Sequence, residues 1–232
     1  MNSDIFNFLL FGCIFILILG LVELTYRKFS LPEEFSRKII HIVSGTTASF
    51  FIYIFEYQLT AVVMAFLFVL VVSFGKKYGF LRSIHNVRRE SIGVLIFPVS
   101  ICLIFLLTWN LKLPRYAYFV TVLILGISDP MASLGGYINL KMNGNTKWMI
   151  STRPFKTKTW PGSILFFITS LIIILVSFFR LTDYEPHFIV LASFVISFAA
   201  TLAEMFSYKG WDNLTAPLVV WGSIFLIESG FF

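Results

Sequence analysis

The sequence is poor in charge and in cysteine. Asp, Glu, Lys and Arg make up only 13% of its 232 residues, about half the share typical of soluble domains. Its two cysteines, Cys13 and Cys102, both lie inside apolar runs, which excludes a disulfide scaffold and a cysteine-based metal site. No Lys or Arg precedes Arg27, so the first apolar run is atypical of a signal peptide and is expected to remain as a membrane span.

Hydrophobic residues, in contrast, are abundant. They account for 58% of the chain, include 28 Phe and give a mean hydropathy of +0.87. This composition excludes an ordinary cytosolic fold and a disordered chain. Because a helix that crosses a membrane needs roughly 20 apolar residues, we predict a single all-α domain, residues 1–232, folded as a polytopic membrane helix bundle.

Eight membrane spans are expected. Their approximate positions are 5–25, 38–56, 59–75, 91–109, 115–134, 160–180, 187–206 and 213–230. Seven spans are the alternative, because the break between the second and third, at Glu56–Gln58, is short.

Basic residues are unevenly distributed among the loops of an eight-span chain. All but three of the 18 Lys and Arg residues fall in the odd-numbered loops, and the exceptions are Lys112, Arg115 and Arg180. The positive-inside rule places the odd loops in the cytoplasm and both termini on the other side. This topology, with attraction to anionic lipid heads, accounts for the net charge of +6 without a nucleic-acid partner.

Several ionisable residues lie at membrane depth, near the predicted cytoplasmic ends of spans, where charge is costly. The second span opens with Arg37, Lys38 and His41, and Arg37 and His41 share one helical face. An arginine that reaches the membrane surface beside a structural histidine would give the same pattern. The fifth span ends with Asp129 among small residues, so a structural salt bridge or a divalent-metal ligand is expected there.

The seventh span carries a polar stripe that ends in a carboxylate. Its members are spaced by four, four and three residues, and they are Ser193, Ser197, Thr201 and Glu204. A stripe of this kind on an apolar helix is expected to face protein rather than lipid. Asp212, which opens the last span, is either a helix cap or a further acidic member of the same site.

The basic segment before the sixth span has the composition of a phosphate site. Lys156, Lys158 and Thr159 precede a predicted helix N-terminus, and Gly162 and Ser163 follow in its first turn. Helix N-termini of this kind bind phosphate, although the P-loop pattern does not occur in this sequence. With the acidic positions on the same predicted face, the segment favours metal-assisted handling of a nucleotide or a phosphorylated lipid.

These motifs, in this order, resemble the polyprenol kinase family, which includes phytol, farnesol and dolichol kinases and lies near the CTP-dependent diacylglycerol kinases. The resemblance covers residues 37–217. It rests on R-K-x-x-H at 37–41, D-x-x-A-x-x-x-G within 128–136, K-T-x-x-G-S at 158–163, Glu204, and D-N-x-T-x-P at 212–217. The chain departs from the family pattern at Ser128, where Gly is usual, at Tyr137, where Arg often stands, and at Pro161, where Glu is frequent.

The resemblance implies Mg²⁺-dependent transfer of the γ-phosphoryl group of a nucleoside triphosphate, CTP in this family, to the hydroxyl of an isoprenoid alcohol. The implied metal ligands are Asp129, Asp212, Glu204 and Asn213. The implied phosphate ligands are Lys156, Lys158, Thr159, Gly162 and Ser163, with Arg37 and Lys38. His41 would lie at the acceptor end as a candidate general base, a role that a carboxylate would serve equally well.

Three alternative functions stay open at this point. The phosphatidate cytidylyltransferases are similar in a Lys-Thr-Trp-x-Gly stretch, matched at 158–162, but their Pro-Gly-His-Gly-Gly…Asp-Arg pattern is absent, so CDP-lipid synthesis ranks below the kinase. A CTP-dependent diacylglycerol kinase is a further alternative. A small transporter is disfavoured because the polar residues gather at one predicted face and we find no inverted repeat in the sequence.

Overall fold

The computed structural model describes residues 2–29, 33–81, 92–143 and 158–231. Regular structure within these ranges consists of eight helices of 17 to 29 residues and one helix of four residues. They are α1 (Asn2–Phe29), α2 (Glu33–Ser49), α3 (Phe51–Ile54), α4 (Gln58–Tyr78), α5 (Gly93–Asn110), α6 (Arg115–Asn143), α7 (Trp160–Leu181), α8 (Pro186–Met205) and α9 (Asp212–Glu228).

The eight long helices correspond to the eight predicted spans, which confirms the all-α prediction. Six of them, α1 and α4 to α8, are long and apolar enough to cross a membrane by length and composition. Helices α2 and α9 have 17 residues each, and α3 prolongs α2 after a single turn residue, Phe50. Some boundaries differ from the predicted ones. Helix α2 begins at Glu33 instead of near residue 38. Helix α6 continues to Asn143 instead of ending near residue 134, because a helix can extend into polar sequence beyond its apolar part.

The short break at residues 55–57 is also confirmed, and it is held by a residue from α1. The Asp4 carboxylate accepts hydrogen bonds from the backbone N–H of Glu56 at 2.9 Å and of Tyr57 at 3.1 Å, and from the Thr60 hydroxyl at 2.9 Å. These contacts satisfy two backbone N–H groups of the break and tie α1 to the first turn of α4. The second and third predicted spans are therefore separate helices.

Helix α6 lies at the centre of the bundle. In its membrane-spanning window 61% of the residues are buried, against 17% for α1. One face of α6 packs Tyr118 and Leu125 into a core shared with α1, α3, α4, α5 and α9. Another face packs Val120 and Ile124 into a second core, shared with α7, α8 and α9. Residues on α6 can therefore contact both halves of the bundle.

Two glycine contacts bring the neighbours of α6 close to it. At Gly126 an added Cβ would lie 2.9 Å from the Gly45 Cα, so α2 and α6 touch backbone to backbone. At Gly135 an added Cβ would lie 2.7 Å from the Pro161 carbonyl oxygen, so α6 and the start of α7 touch in the same way. Small residues permit this close approach between membrane helices.

Large apolar side chains cover the outside of the bundle. Leu17 and Leu21 on α1 are each 62% exposed, and Phe194 and Phe198 on α8 are just over half exposed. An apolar surface of this extent is typical of lipid-facing helices rather than of a protein in water.

Candidate active site

The Asp129 carboxylate joins α6 to α2. Lys38 Nζ lies 3.1 Å from Asp129 Oδ2, and His41 Nε2 lies 3.7 Å from the same oxygen. His41 Nε2 is also 3.1 Å from the Leu125 carbonyl oxygen, to which it donates when protonated. A neutral His41 in this tautomer keeps Nδ1 as its proton acceptor. Asp129, His41 and Lys38, predicted separately from two motifs, thus form one group.

Lys158 forms a second group with two carboxylates from other helices. Its ammonium donates to Glu204 Oε1 near the end of α8 and to Asp212 Oδ2, 2.7 Å away, in the first turn of α9. Glu204 is only 3% exposed. Because an unpaired charge at this depth would be strongly disfavoured, the pairing explains why a lysine and two acids are tolerated together.

The two groups interact and form one charged cluster, made of Lys38, Asp129, Lys158, Glu204 and Asp212. The Asp129 carboxylate interacts electrostatically with Lys158 as well as with Lys38. It also interacts with the Glu204 carboxylate. Four helices and the segment before α7 therefore contribute to a single site at one end of the bundle.

The protonation state of Lys158 follows from its neighbours. Burial by itself would lower the pKa of the ammonium, but the Glu204 and Asp212 carboxylates and their hydrogen bonds outweigh it. The pKa of Lys158 lies above its ordinary value of 10.5 as a result. Lys158 is therefore a cation throughout the neutral range and is suited to hold a phosphate oxygen.

The residues after Lys158 build the start of α7. Thr159 is the N-cap, and its hydroxyl accepts a hydrogen bond from the Gly162 N–H at 3.2 Å. The Ser163 N–H is bonded to the Thr159 carbonyl at 3.0 Å. Gly162 packs against α6, since an added Cβ would be 2.6 Å from the Ala132 carbonyl oxygen. These contacts are structural, and phosphate binding by Thr159, Gly162 and Ser163 stays a prediction.

Two predicted metal ligands have oxygens that are buried and unused. Glu204 Oε2 and Asn213 Oδ1 accept no hydrogen bond from the described residues, while the Asn213 amide nitrogen donates to the Gly93 carbonyl at 3.0 Å. No three His, Cys, Asp or Glu side chains in the described ranges come together as a metal-binding group. Mg²⁺ usually takes only one or two carboxylates, and phosphate oxygens and water complete its shell. The oxygens of Glu204, Asp212 and Asn213 fit that requirement.

The structure also distinguishes between the alternatives that the sequence left open for Asp212, Asp129 and the polar stripe of α8. Asp212 is not the N-cap of α9, since Trp211 holds that position without a side-chain bond. Asp129 does make a salt bridge, with Lys38, but it also belongs to the larger charged cluster. The polar stripe faces protein as predicted, because Ser193, Ser197 and Glu204 are buried.

Two further predicted site residues are Arg37 and Lys156. Arg37 interacts electrostatically with His41, and its role in binding stays a prediction. Lys156 lies outside the described residues. The sequence did not predict that Lys38 pairs with Asp129, or that Lys158 pairs with Glu204 and Asp212. The charge pattern along the chain does not indicate which lysine contacts which acid.

Comparison with known proteins shows a similarity to a phytol kinase. The phytol kinase of Synechocystis sp. is 26% identical over 208 residues, which cover 88% of this chain and 85% of the relative. No family model matches the chain. No solved structure matches it either. The chain is thus a distant relative of a phytol kinase, in agreement with the resemblance to the polyprenol kinases.

Proposed function

We propose that this protein is an integral membrane kinase that transfers the γ-phosphoryl group of CTP to the hydroxyl of an isoprenoid alcohol. The observation that carries the proposal is the Lys158 ammonium between Glu204 and Asp212, in electrostatic reach of Asp129. Such a set of cations and carboxylate oxygens is what phosphoryl transfer requires, because catalysis there rests on positioning and on neutralising charge. The distant relationship to a phytol kinase supports the acceptor class.

Lys158 and its partners form the phosphate side of the proposed site. The ammonium would bind oxygens of the triphosphate, held in place by Glu204 and Asp212. Glu204, Asp212 and Asn213 would hold Mg²⁺, with Asp129 as the further ligand implied by the resemblance. The metal would supply charge neutralisation on the phosphates. The base of the nucleotide is assigned to cytosine by the family resemblance alone.

Asp129, Lys38 and His41 form the acceptor side. In the proposed step the alcohol oxygen attacks the γ-phosphorus, the bond from that phosphorus to the bridging oxygen breaks, and CDP leaves. The hydroxyl proton passes to His41 Nδ1, whose ring is oriented by the bond from Nε2 to the Leu125 carbonyl. Asp129, 3.7 Å from Nε2, would stabilise the resulting imidazolium, and Lys38 would approach the transferred phosphoryl group.

The membrane orientation belongs to the same proposal. The charged cluster lies at the end of the bundle where Arg27 and Lys28 also end α1. The positive-inside rule puts this end in the cytoplasm, where nucleoside triphosphates are available. The phosphoryl donor would then reach the site from water and the alcohol from the bilayer.

A test of acceptor and donor together distinguishes the rival readings. Purified protein in detergent with Mg²⁺ is given CTP or ATP, and phytol, geranylgeraniol, farnesol, diacylglycerol or phosphatidate. The proposal predicts a phosphorylated isoprenoid alcohol and CDP. Phosphorylated diacylglycerol would instead indicate a diacylglycerol kinase, and pyrophosphate formed only with phosphatidate would indicate a cytidylyltransferase. No product from folded protein with any pair would contradict a transferase of this kind.

A further inference from the structure

An apolar crevice leads away from the charged cluster into the bundle. It is bounded by α1, α2, α3, α4, α5 and α6 and is partly open to the outside. Its lining is almost entirely hydrocarbon and aromatic. Its lining residues include Ser44, Ala61, Ala65, Phe97, Phe105 and Tyr118.

One end of the crevice adjoins the acceptor side of the cluster. The Phe97 ring lies against the His41 ring, with 4.1 Å between their centroids. Ser44 follows His41 by one helical turn on α2 and is 2% exposed. Its hydroxyl oxygen has no hydrogen-bond partner among the described residues. A buried hydroxyl without a partner is costly, so Ser44 is poised to bond a polar group at this end.

The other end of the crevice lies deep between the helices. Phe97 and Phe105 both line it from α5, and eight residues of helix span about 12 Å. Tyr118 closes the far end, where its hydroxyl donates to the Ala48 carbonyl at 2.9 Å. Since that hydroxyl is used within the protein, the far end offers a ligand only apolar surface. The crevice is therefore lined by apolar surface except at the end where Ser44 lies.

We propose that this crevice holds the hydrocarbon tail of the acceptor alcohol, with the alcohol hydroxyl between Ser44 and His41. The inference rests on the proposed function and adds which helices select the tail. A hydroxyl placed there lies next to His41, the residue proposed to take its proton. The first part of the hydrocarbon tail then fills the crevice. The remainder of a long tail leaves through the open side into lipid, so the crevice discriminates the part of the tail near the hydroxyl.

A substitution that fills the crevice provides the test. Ala65→Phe on α4 adds a ring inside the crevice, whereas Val63→Phe adds a similar bulk two residues away, on a 37% exposed position. The kcat/KM is measured for geranylgeraniol and for a five-carbon prenol, with CTP saturating. We expect Ala65→Phe to lower kcat/KM at least tenfold for geranylgeraniol while changing it less than threefold for the short alcohol. Val63→Phe should change neither value.

The outcomes separate this inference from the proposed function. The crevice assignment is overturned, and the kinase left in place, by either of two results. One is that Ala65→Phe has the wild-type kcat/KM for both alcohols. The other is that it loses kcat/KM equally for both. Wild-type protein that phosphorylates no alcohol would instead overturn the proposed function. Because a filled core can prevent folding, a geranylgeraniol with a diazirine in its tail is also crosslinked to the wild type. Labelling of residues that line the crevice supports the assignment, and labelling confined to outward-facing residues contradicts it.

Discussion

Lys38 on α2 donates to Asp129 on α6 at 3.1 Å, although 91 residues separate them in the chain. Both residues lie on the same side of the Gly45–Gly126 contact as His41. Because the two backbones touch at that contact, a lysine and an aspartate on different helices reach each other without long loops. The acceptor side of the site therefore depends on a contact between two glycines.

The carboxylate of Asp129 is expected to be essential for turnover. Asp129→Asn keeps the size of the side chain but removes the charge that pairs with Lys38 and interacts with Lys158. We expect kcat to fall by a factor of about 100 or more, as for the loss of one preorganised charge at a reacting centre. Asp183→Asn, at an exposed position between α7 and α8, is the matched control and should retain wild-type kcat. Near-normal turnover by Asp129→Asn would refute the role given to Asp129.

Removal of the Lys158 ammonium should destabilise the protein as well as inactivate it. Lys158→Met leaves the buried Glu204 and Asp212 carboxylates without their cation, and breaking a buried pair in this way costs on the order of 3–5 kcal/mol. For a domain of this size that corresponds to a fall in Tm of roughly 10 °C, measured by thermal unfolding in detergent. Lys112→Met, at an exposed turn, should leave Tm unchanged.

A double variant distinguishes charge from volume at Lys158. Adding Glu204→Gln to Lys158→Met removes one of the two uncompensated charges, so part of the lost stability should return. If the double variant is less stable than Lys158→Met alone, the cost arises from packing rather than from unpaired charge.

The pH dependence of stability gives an independent reading of the same pair. The folded-state pKa of Lys158 is raised above its ordinary value of 10.5, so its ionic contribution is fully present below about pH 10.5 and is lost as the pH rises through the folded-state value. The difference in Tm between wild type and Lys158→Met should therefore be constant from pH 6 to 9 and shrink above pH 10.5. A difference that disappears on going from pH 9 to pH 6 would contradict this assignment.

The proposed metal ligands predict a change in Mg²⁺ requirement. Asp212→Asn removes a charged oxygen from the set formed with Glu204 and Asn213, so the Mg²⁺ concentration for half-maximal activity should rise about tenfold or more, as expected when a hard cation loses a carboxylate. Activity is measured against Mg²⁺ at fixed CTP. Asp183→Asn should follow the wild-type curve, and an unchanged requirement in Asp212→Asn would exclude it as a ligand.

The glycine contacts are expected to be sensitive to a single methyl group. In Gly126→Ala the new Cβ would lie 2.9 Å from Gly45 backbone atoms, which cannot move aside as a flexible side chain can. Helices α2 and α6 must separate, so Tm and kcat should both fall. Gly222→Ala has nothing within 4 Å of the added Cβ and should be neutral or slightly stabilising, since alanine favours helix. Equal stability of the two variants would show that the helices are not in close contact.

The sequence predicted the helices well because the membrane imposes their length. Six of the eight long helices are visible as long apolar runs, and prolines and short polar breaks separate the runs. The extension of α6 to Asn143 was missed because hydropathy reports where lipid ends, not where a helix ends. Candidate site residues such as Asp129 and Glu204 could also be proposed from the sequence, since a charge in an apolar run is conspicuous, and their roles stay predictions.

The contacts among those residues were not predictable from the sequence. Lys158 pairs with Glu204 and Asp212, 46 and 54 residues away, and this choice depends on how each helix is rotated about its axis. The crevice was missed for a related reason. Alanine at positions 61 and 65 is unremarkable until phenylalanine and tyrosine side chains from other helices are placed opposite it.

The most direct test of the central claim follows one phosphorus atom. The protein is incubated with Mg²⁺, phytol or geranylgeraniol, and CTP labelled either at the α- or at the γ-phosphorus, and the lipid product is separated by thin-layer chromatography. The kinase predicts that the γ-label enters the lipid and the α-label stays in CDP. Label from the α-position in the lipid, or no label in the lipid from either nucleotide with folded protein, would contradict it.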